Sequence, residues 1–231
     1  MKIRNLTQVL LIPLLMITAG TAGRAEPTPR PDPARFANDI EAFARRDRET
    51  PPASGVLLFV GSSSIRKWDL EKSWPGRATL NNGFGGSTLN DSLHHFDRVI
   101  TPYSPSAIVI YAGENDVFKG LDAEETRDDF VALVERIAQD KPGVPVIFIC
   151  LKPSIKRWEE WPEMKKANAL IAEECRKREF LHFVDIATPM LATSDGTPNA
   201  TLLSADDLHL SEAGYALWTR LVDPHLPSAG P

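Results

Sequence analysis

Val56-Leu57-Leu58-Phe59-Val60 runs directly into Gly61-Ser62-Ser63-Ser64-Ile65. Five apolar residues closed by a glycine read as a buried β-strand, because a strand covered on both faces has no reason to alternate polar with apolar. Four more short runs read the same way: Ala78 to Leu80, Ala107 to Ala112, Val144 to Leu151 and Leu181 to Ile186. Between them, Leu89, Leu93, Phe96 and Ile100 keep the three-to-four spacing of a helix with one buried face. So do Phe130, Leu133, Val134 and Ile137, and then Met164, Ala167, Leu170 and Ile171. A first helix carries Phe36, Ile40 and Phe43 and stops at Thr50-Pro51-Pro52, and a last one spans Ser211 to Val222. Strand and helix in alternation need crossover connections, so the pattern predicts an α/β fold whose five-stranded parallel sheet is covered on both sides.

The remainder of the 231 residues bounds what this domain does. With 42% hydrophobic and 25% charged residues, the composition is that of an ordinary water-soluble domain. Residues 1–25 read as a signal peptide. Lys2 and Arg4 precede an apolar stretch from Val9 to Ile17, and small residues at Ala19, Gly20, Ala22, Gly23 and Ala25 offer a cleavage site, expected after Ala25. The stretch falls short of the roughly 20 apolar residues that span a bilayer, so export to periplasm or medium is expected, with no stable membrane anchor. Cleavage removes Lys2, Arg4 and Arg24 and no acid, taking the formal charge from -5 to -8, which makes a nucleic-acid partner unexpected. Residues 26–35 carry four prolines and read as an extended linker, leaving residues 36–231 as the domain. Cys150 and Cys175 read as buried structural thiols, although an oxidising compartment permits them to pair.

In an open parallel sheet, sites form beyond the carboxyl ends of the strands. Four such positions are unusual. After the first strand, Ser63 sits on a glycine-led turn, suited to a nucleophile and equally to a helix cap or phosphate cradle. After the second, Asn81 to Thr88 contains three glycines whose N–H groups could face a developing oxyanion or simply form a turn. After the third, Gly113-Glu114-Asn115-Asp116 places an amide that could donate to the same oxyanion, although Asn and Asp also make turns. Near the C-terminus, Asp206 lies three residues before His209, where its carboxylate can accept the Nδ1 proton and leave Nε2 free to take one from serine. A metal site would want more ligands, and His94, His95, His182 and His225 form no matching cluster.

In this order and at these spacings, the four blocks resemble the Ser, Gly, Asn and His blocks of the SGNH (GDSL-like) hydrolases, over roughly residues 54 to 222. Gly61-Ser62-Ser63 falls on the family's Gly-Asp-Ser, Gly86 on its glycine, Gly113 to Asp116 on its Gly-x-Asn-Asp, and Asp206 to His209 on its Asp-x-x-His. Ser62 stands where the family usually has aspartate, and it is expected to brace the turn by hydrogen bonding. The resemblance implies a three-layer α/β/α, flavodoxin-like fold and no metal or organic cofactor. It also implies a serine esterase, exported if residues 1–25 act as a signal, with Ser63, His209 and Asp206 as triad and Ser63 N–H, Gly86 N–H and Asn115 as oxyanion hole. The substrate is a small-molecule or carbohydrate ester, with short acyl chains favoured because no long segment builds a deep lid. Removal of acetyl groups from polysaccharide, lysophospholipid or thioester cleavage, and a silent binding module that keeps the fold are the alternatives. Elsewhere, Trp68 and Trp74 read as core, Trp158 and Trp161 as pocket lining or a packed loop, and Asp122 to Asp129 as a solvated first helical turn.

Overall fold

The computed structural model of the chain describes Glu26 and residues 28–228; the signal peptide expected over residues 1–25 lies outside the described residues. Five strands, β1 (Leu57–Gly61), β2 (Thr79–Gly83), β3 (Ala107–Tyr111), β4 (Val146–Ile149) and β5 (Leu181–Val184), make one all-parallel sheet in the order β2-β1-β3-β4-β5. Every residue of β1 and β3 is buried, which explains their uninterrupted apolar runs. The helices are α1 (Ala37–Glu49), α2 (Ser63–Arg66), α3 (Leu70–Ser73), α4 (Leu89–His94), α5 (Phe96–Val99), α6 (Glu114–Phe118), α7 (Ala123–Asp140), α8 (Trp161–Arg176), α9 (Ala187–Met190) and α10 (Glu212–Val222). Helices α4, α7 and α8 pack side by side on one face, while α3 packs on α10 on the other, giving the expected three layers. No described helix is long and apolar enough to cross a membrane.

From β1 the chain moves outward to β2 and then crosses back over β1 to β3. The connections leaving β1 and β3 therefore diverge, and a crevice opens between them at the carboxyl end of the sheet.

Every strand is offset from the sequence reading by one to three residues at one end or both, and two of these offsets have a plain physical reason. β2 continues three residues past Leu80, because Asn81 and Asn82, turn formers by propensity, find tertiary partners. Asn81 Nδ2 donates to Ile65 O at 2.7 Å and Asn82 Nδ2 to Val99 O at 2.9 Å. β4 begins only after Pro145, which has no N–H for a ladder.

Of the proline-rich residues 26–35, residues 28–35 lie against the domain surface as a strap. Thr28 N–H donates to Glu125 Oε1 at 2.8 Å, and the Arg30 guanidinium forks onto Asp129 at 3.0 and 3.2 Å. A 3-10 turn at Pro33–Phe36 then buries Phe36 edge-on against Phe84, 5.0 Å between ring centroids. The acidic start of α7 is thus the anchor of the strap, as well as a capping box formed by Asp122 and Glu125.

Trp68 and Trp74 are core, packed with Phe59 at 5.6 and 5.2 Å. Cys150 and Cys175 are free and buried, and burial pushes each thiol up to about 12.

Candidate active site

Gly61 ends β1 with φ +138°, and a Cβ there would lie 2.0 Å from Tyr111 O of the neighbouring strand. Only glycine allows the two backbones to close at this point. Ser62 N–H donates to that same Tyr111 carbonyl at 2.9 Å, and Ser62 C=O accepts from Arg66 N–H at 3.0 Å. Ser62 therefore braces the turn through its backbone, and its side chain makes no cap hydrogen bond to the helix. Ser63 follows as the first residue of α2, with its N–H unpartnered among the described residues.

The His block is held as firmly from the other side. Leu203 and Leu210 form an antiparallel bridge that closes the loop, and Asp207 adopts φ +59° within it. One oxygen of Asp206 accepts from Ser204 Oγ at 2.7 Å, Leu208 N–H at 3.1 Å and His209 N–H at 2.9 Å. The other oxygen meets His209 Nδ1 at 2.5 Å. The hydrogen bond from His209, with the backbone and hydroxyl donors behind it, holds the Asp206 carboxyl far below the usual carboxylate range. With Nδ1–H committed to Asp206, His209 Nε2 is left as an acceptor, 3.0 Å from Ser63 Oγ.

Gly86, at φ +86°, lines the same cleft as this pair, with its N–H unpartnered among the described residues. Asn115, on α6 just past β3, is buried with both ends of its amide assigned. Nδ2 donates one proton to Ser87 O at 2.9 Å, and Oδ1 accepts from Arg157 Nη2 at 3.0 Å. The second Nδ2 proton has no partner among the described residues and is open to a ligand. Ser63, Gly86, Asn115 and His209 line one open cleft of about 520 Å³, together with Arg157 and Leu208. Each site residue expected from the sequence thus lines this cleft or, in the case of Asp206, is hydrogen-bonded to His209 that does.

Sequence reasoning missed what stands behind them. Glu114 is buried between Lys152 Nζ at 2.5 Å and Arg157 Nη1 at 3.1 Å, and it accepts from Tyr111 OH at 2.5 Å. Burial alone would raise the Glu114 carboxyl, but the Lys152 and Arg157 cations outweigh it and hold it below its ordinary value. Lys152 announces itself in sequence only as the first charge after the apolar run of β4; Arg157 lies in a loop without any periodic signal. Asp116 is also buried, with Oδ1 accepting from Leu89 N–H at 3.0 Å, and burial raises its carboxyl to about 7. Trp158 and Trp161 stack at 6.3 Å, with Trp161 buried at the start of α8, and neither lines the cleft.

A sequence model described as the GDSL-like Lipase/Acylhydrolase family matches residues 59–217. Among curated proteins, none matches the sequence. Among solved structures, a GDSL-like lipase from Bacteroides thetaiotaomicron superimposes with a TM-score of 0.69 at 22% identity, covering 82% of this chain and 97% of that one. A lipase/acylhydrolase from Enterococcus faecalis gives 0.59 at 22% identity over 78% and 100%. A mutant of an acetyl-xylooligosaccharide esterase from Geobacillus Stearmophilus gives 0.61 at 17% identity over 78% and 98%.

Proposed function

The chain belongs to the GDSL-like Lipase/Acylhydrolase family and is thereby an esterase or acylhydrolase, and from that premise we propose that it is an exported serine esterase working through an acyl-enzyme on short-chain carboxylic esters. Ser63 Oγ attacks the ester carbonyl as His209 Nε2 takes its proton. Asp206 keeps the imidazole in the correct tautomer and balances its positive charge. The tetrahedral oxyanion is held by Ser63 N–H, Gly86 N–H and the free Asn115 proton. His209 then protonates the departing alkoxide, and water, activated by the same imidazole, releases the acid and restores Ser63. The observation that carries this reading is the continuous contact from Asp206 through His209 to Ser63, 2.5 and then 3.0 Å.

Asn115→Ala is expected to lower kcat by about 100- to 1000-fold with little change in KM, since its proton is needed only once charge develops on the oxygen. Steady-state kinetics on an activated acetyl ester checks it; a loss confined to KM would move Asn115 out of the oxyanion hole.

Short acyl groups fit an open cleft of about 520 Å³ with charged residues at its rim, and one structural relative is an acetyl-xylooligosaccharide esterase. Nitrophenyl esters of increasing acyl length, assayed beside acetylated xylan and a lysophospholipid, test the preference. Acetyl to butyryl should be fastest, and a maximum at a dozen carbons would contradict the reading.

Export follows from the signal pattern of residues 1–25. Mature protein recovered from periplasm or medium should begin at or near Glu26, which N-terminal sequencing decides. A folded cytosolic product retaining Met1 would refute export.

A further inference from the structure

The cleft carries a charge that hydrolysis of a neutral ester does not call on. Its lining holds three cations, Arg66, Lys67 and Arg157, and no carboxylate, in a chain whose formal charge is -5. Arg66 and Lys67 lie three and four residues after Ser63, on the turn that continues from it, so both share its face. A point one Cβ bond from Gly85 lies 3.4 Å from Arg66 Nη1 and 3.8 Å from Ser63 Cβ, which puts the guanidinium beside the nucleophile. The missing side chain at Gly85 leaves that space open. Across the cleft, Lys119 Nζ lies 3.4 Å from the Gly86 carbonyl.

Two of these three cations, Arg66 and Lys67, are left largely free by the fold. Arg157 is used structurally, bound to Glu114 and Asn115. Lys67 is exposed, and among the described residues its side chain makes neither hydrogen bond nor ion pair. Arg66 reaches one carboxylate, Asp39 at 3.4 Å, while remaining 59% exposed. A partner at that distance and exposure contributes little and is readily exchanged.

We propose that the preferred ester is anionic, carrying a carboxylate, phosphate or sulfate within reach of the scissile bond, and that Lys67 and Arg66 bind that charge. This rests on the reading of Ser63 as the nucleophile. Exposed cations at a cleft lined by no carboxylate raise the local concentration of an anionic substrate and hold it in register, and salt weakens both effects.

The test compares 4-acetoxybenzoate with its uncharged methyl ester, each kcat/KM divided by the rate of the same ester in alkali, so that intrinsic reactivity cancels. At 0.1 M salt, where screening extends over about 10 Å, the anionic ester should be preferred by about tenfold. At 1 M salt, with a screening length of about 3 Å, the two should approach parity. Lys67→Glu should reverse the preference and Arg66→Gln should reduce it. Because the readout is a ratio within each variant, general damage to the enzyme does not mimic the result. Equal rates for the two esters in the wild type at low salt, or a preference untouched in Lys67→Glu, would overturn the anionic substrate while leaving the serine esterase standing. Failure to hydrolyse either ester would overturn both.

Discussion

Ser63→Ala is expected to reduce ester turnover by on the order of a million-fold, while Ser62→Ala and Ser64→Ala remain measurable enzymes. The three hydroxyls are adjacent in sequence but do not compete in space. Ser63 Oγ faces His209 Nε2 at 3.0 Å, whereas Ser62 and Ser64 are buried, and Ser64 offers its carbonyl to Tyr215 OH at 2.9 Å. A hydroxyl with no base beside it stays a poor nucleophile. The loss should fall on kcat, because alanine leaves the cleft and the three N–H donors in place. What survives is the part contributed by binding and the oxyanion hole, which in other serine hydrolases amounts to about a thousand-fold over water. Single-turnover assays at high enzyme concentration measure it. A Ser63→Ala rate within tenfold of the wild type would remove the acyl-enzyme.

Lys152→Met should destabilise the fold by about 3–5 kcal/mol, a large share of the 5–15 kcal/mol that keeps a domain folded. Lys152 is 1% exposed and its ammonium bonds Glu114, itself buried. Methionine fills similar volume but leaves the carboxylate with Arg157 as its remaining cation, so the figure belongs toward the lower end of the range. The pH dependence gives the sign. Glu114 is held below its ordinary value in the folded protein, so its contribution is present above the unfolded carboxylate range and is lost as pH falls through the folded value. In Lys152→Met that value rises, protonation relieves the unpaired charge, and the deficit against wild type should shrink in acid. Urea unfolding at neutral and at mildly acidic pH measures it, and adding Glu114→Gln to Lys152→Met should recover much of the loss. A deficit identical at both pH values would mean that lost packing, not the buried charge, is responsible.

The cost would also reach the chemistry. Glu114 holds Arg157, and Arg157 holds the oxygen of the Asn115 amide, so the orientation of one oxyanion donor depends on an ion pair behind the sheet ends. This chain of contacts is the part of the site that the sequence did not disclose. The contact of Ser63, His209 and Asp206 was legible because each residue belongs to a local motif: a glycine that ends a strand, or a carboxylate three residues before an imidazole. The Glu114, Lys152 and Arg157 cluster joins residues 38 and 43 positions apart, and no local pattern announces such a contact.

Fold legibility followed the same division. β1 and β3 were plain because burial on both faces leaves an unbroken apolar run. The end of β2 was not, since Asn81 and Asn82 favour turns on their own and are kept in the strand by bonds to Ile65 and Val99. Residues 26–35 looked free because proline excludes regular structure, and proline says nothing about whether an arginine such as Arg30 will find Asp129 and Glu125 waiting on α7.

Whether Ser63 carries the acyl group is decided by labelling the native protein with a fluorophosphonate and locating the adduct by peptide mass spectrometry. A single stoichiometric adduct on Ser63 is expected, abolished by His209→Ala as well as by Ser63→Ala. An adduct on Ser62 or Ser64, or no adduct on an enzyme that still hydrolyses esters, would contradict it.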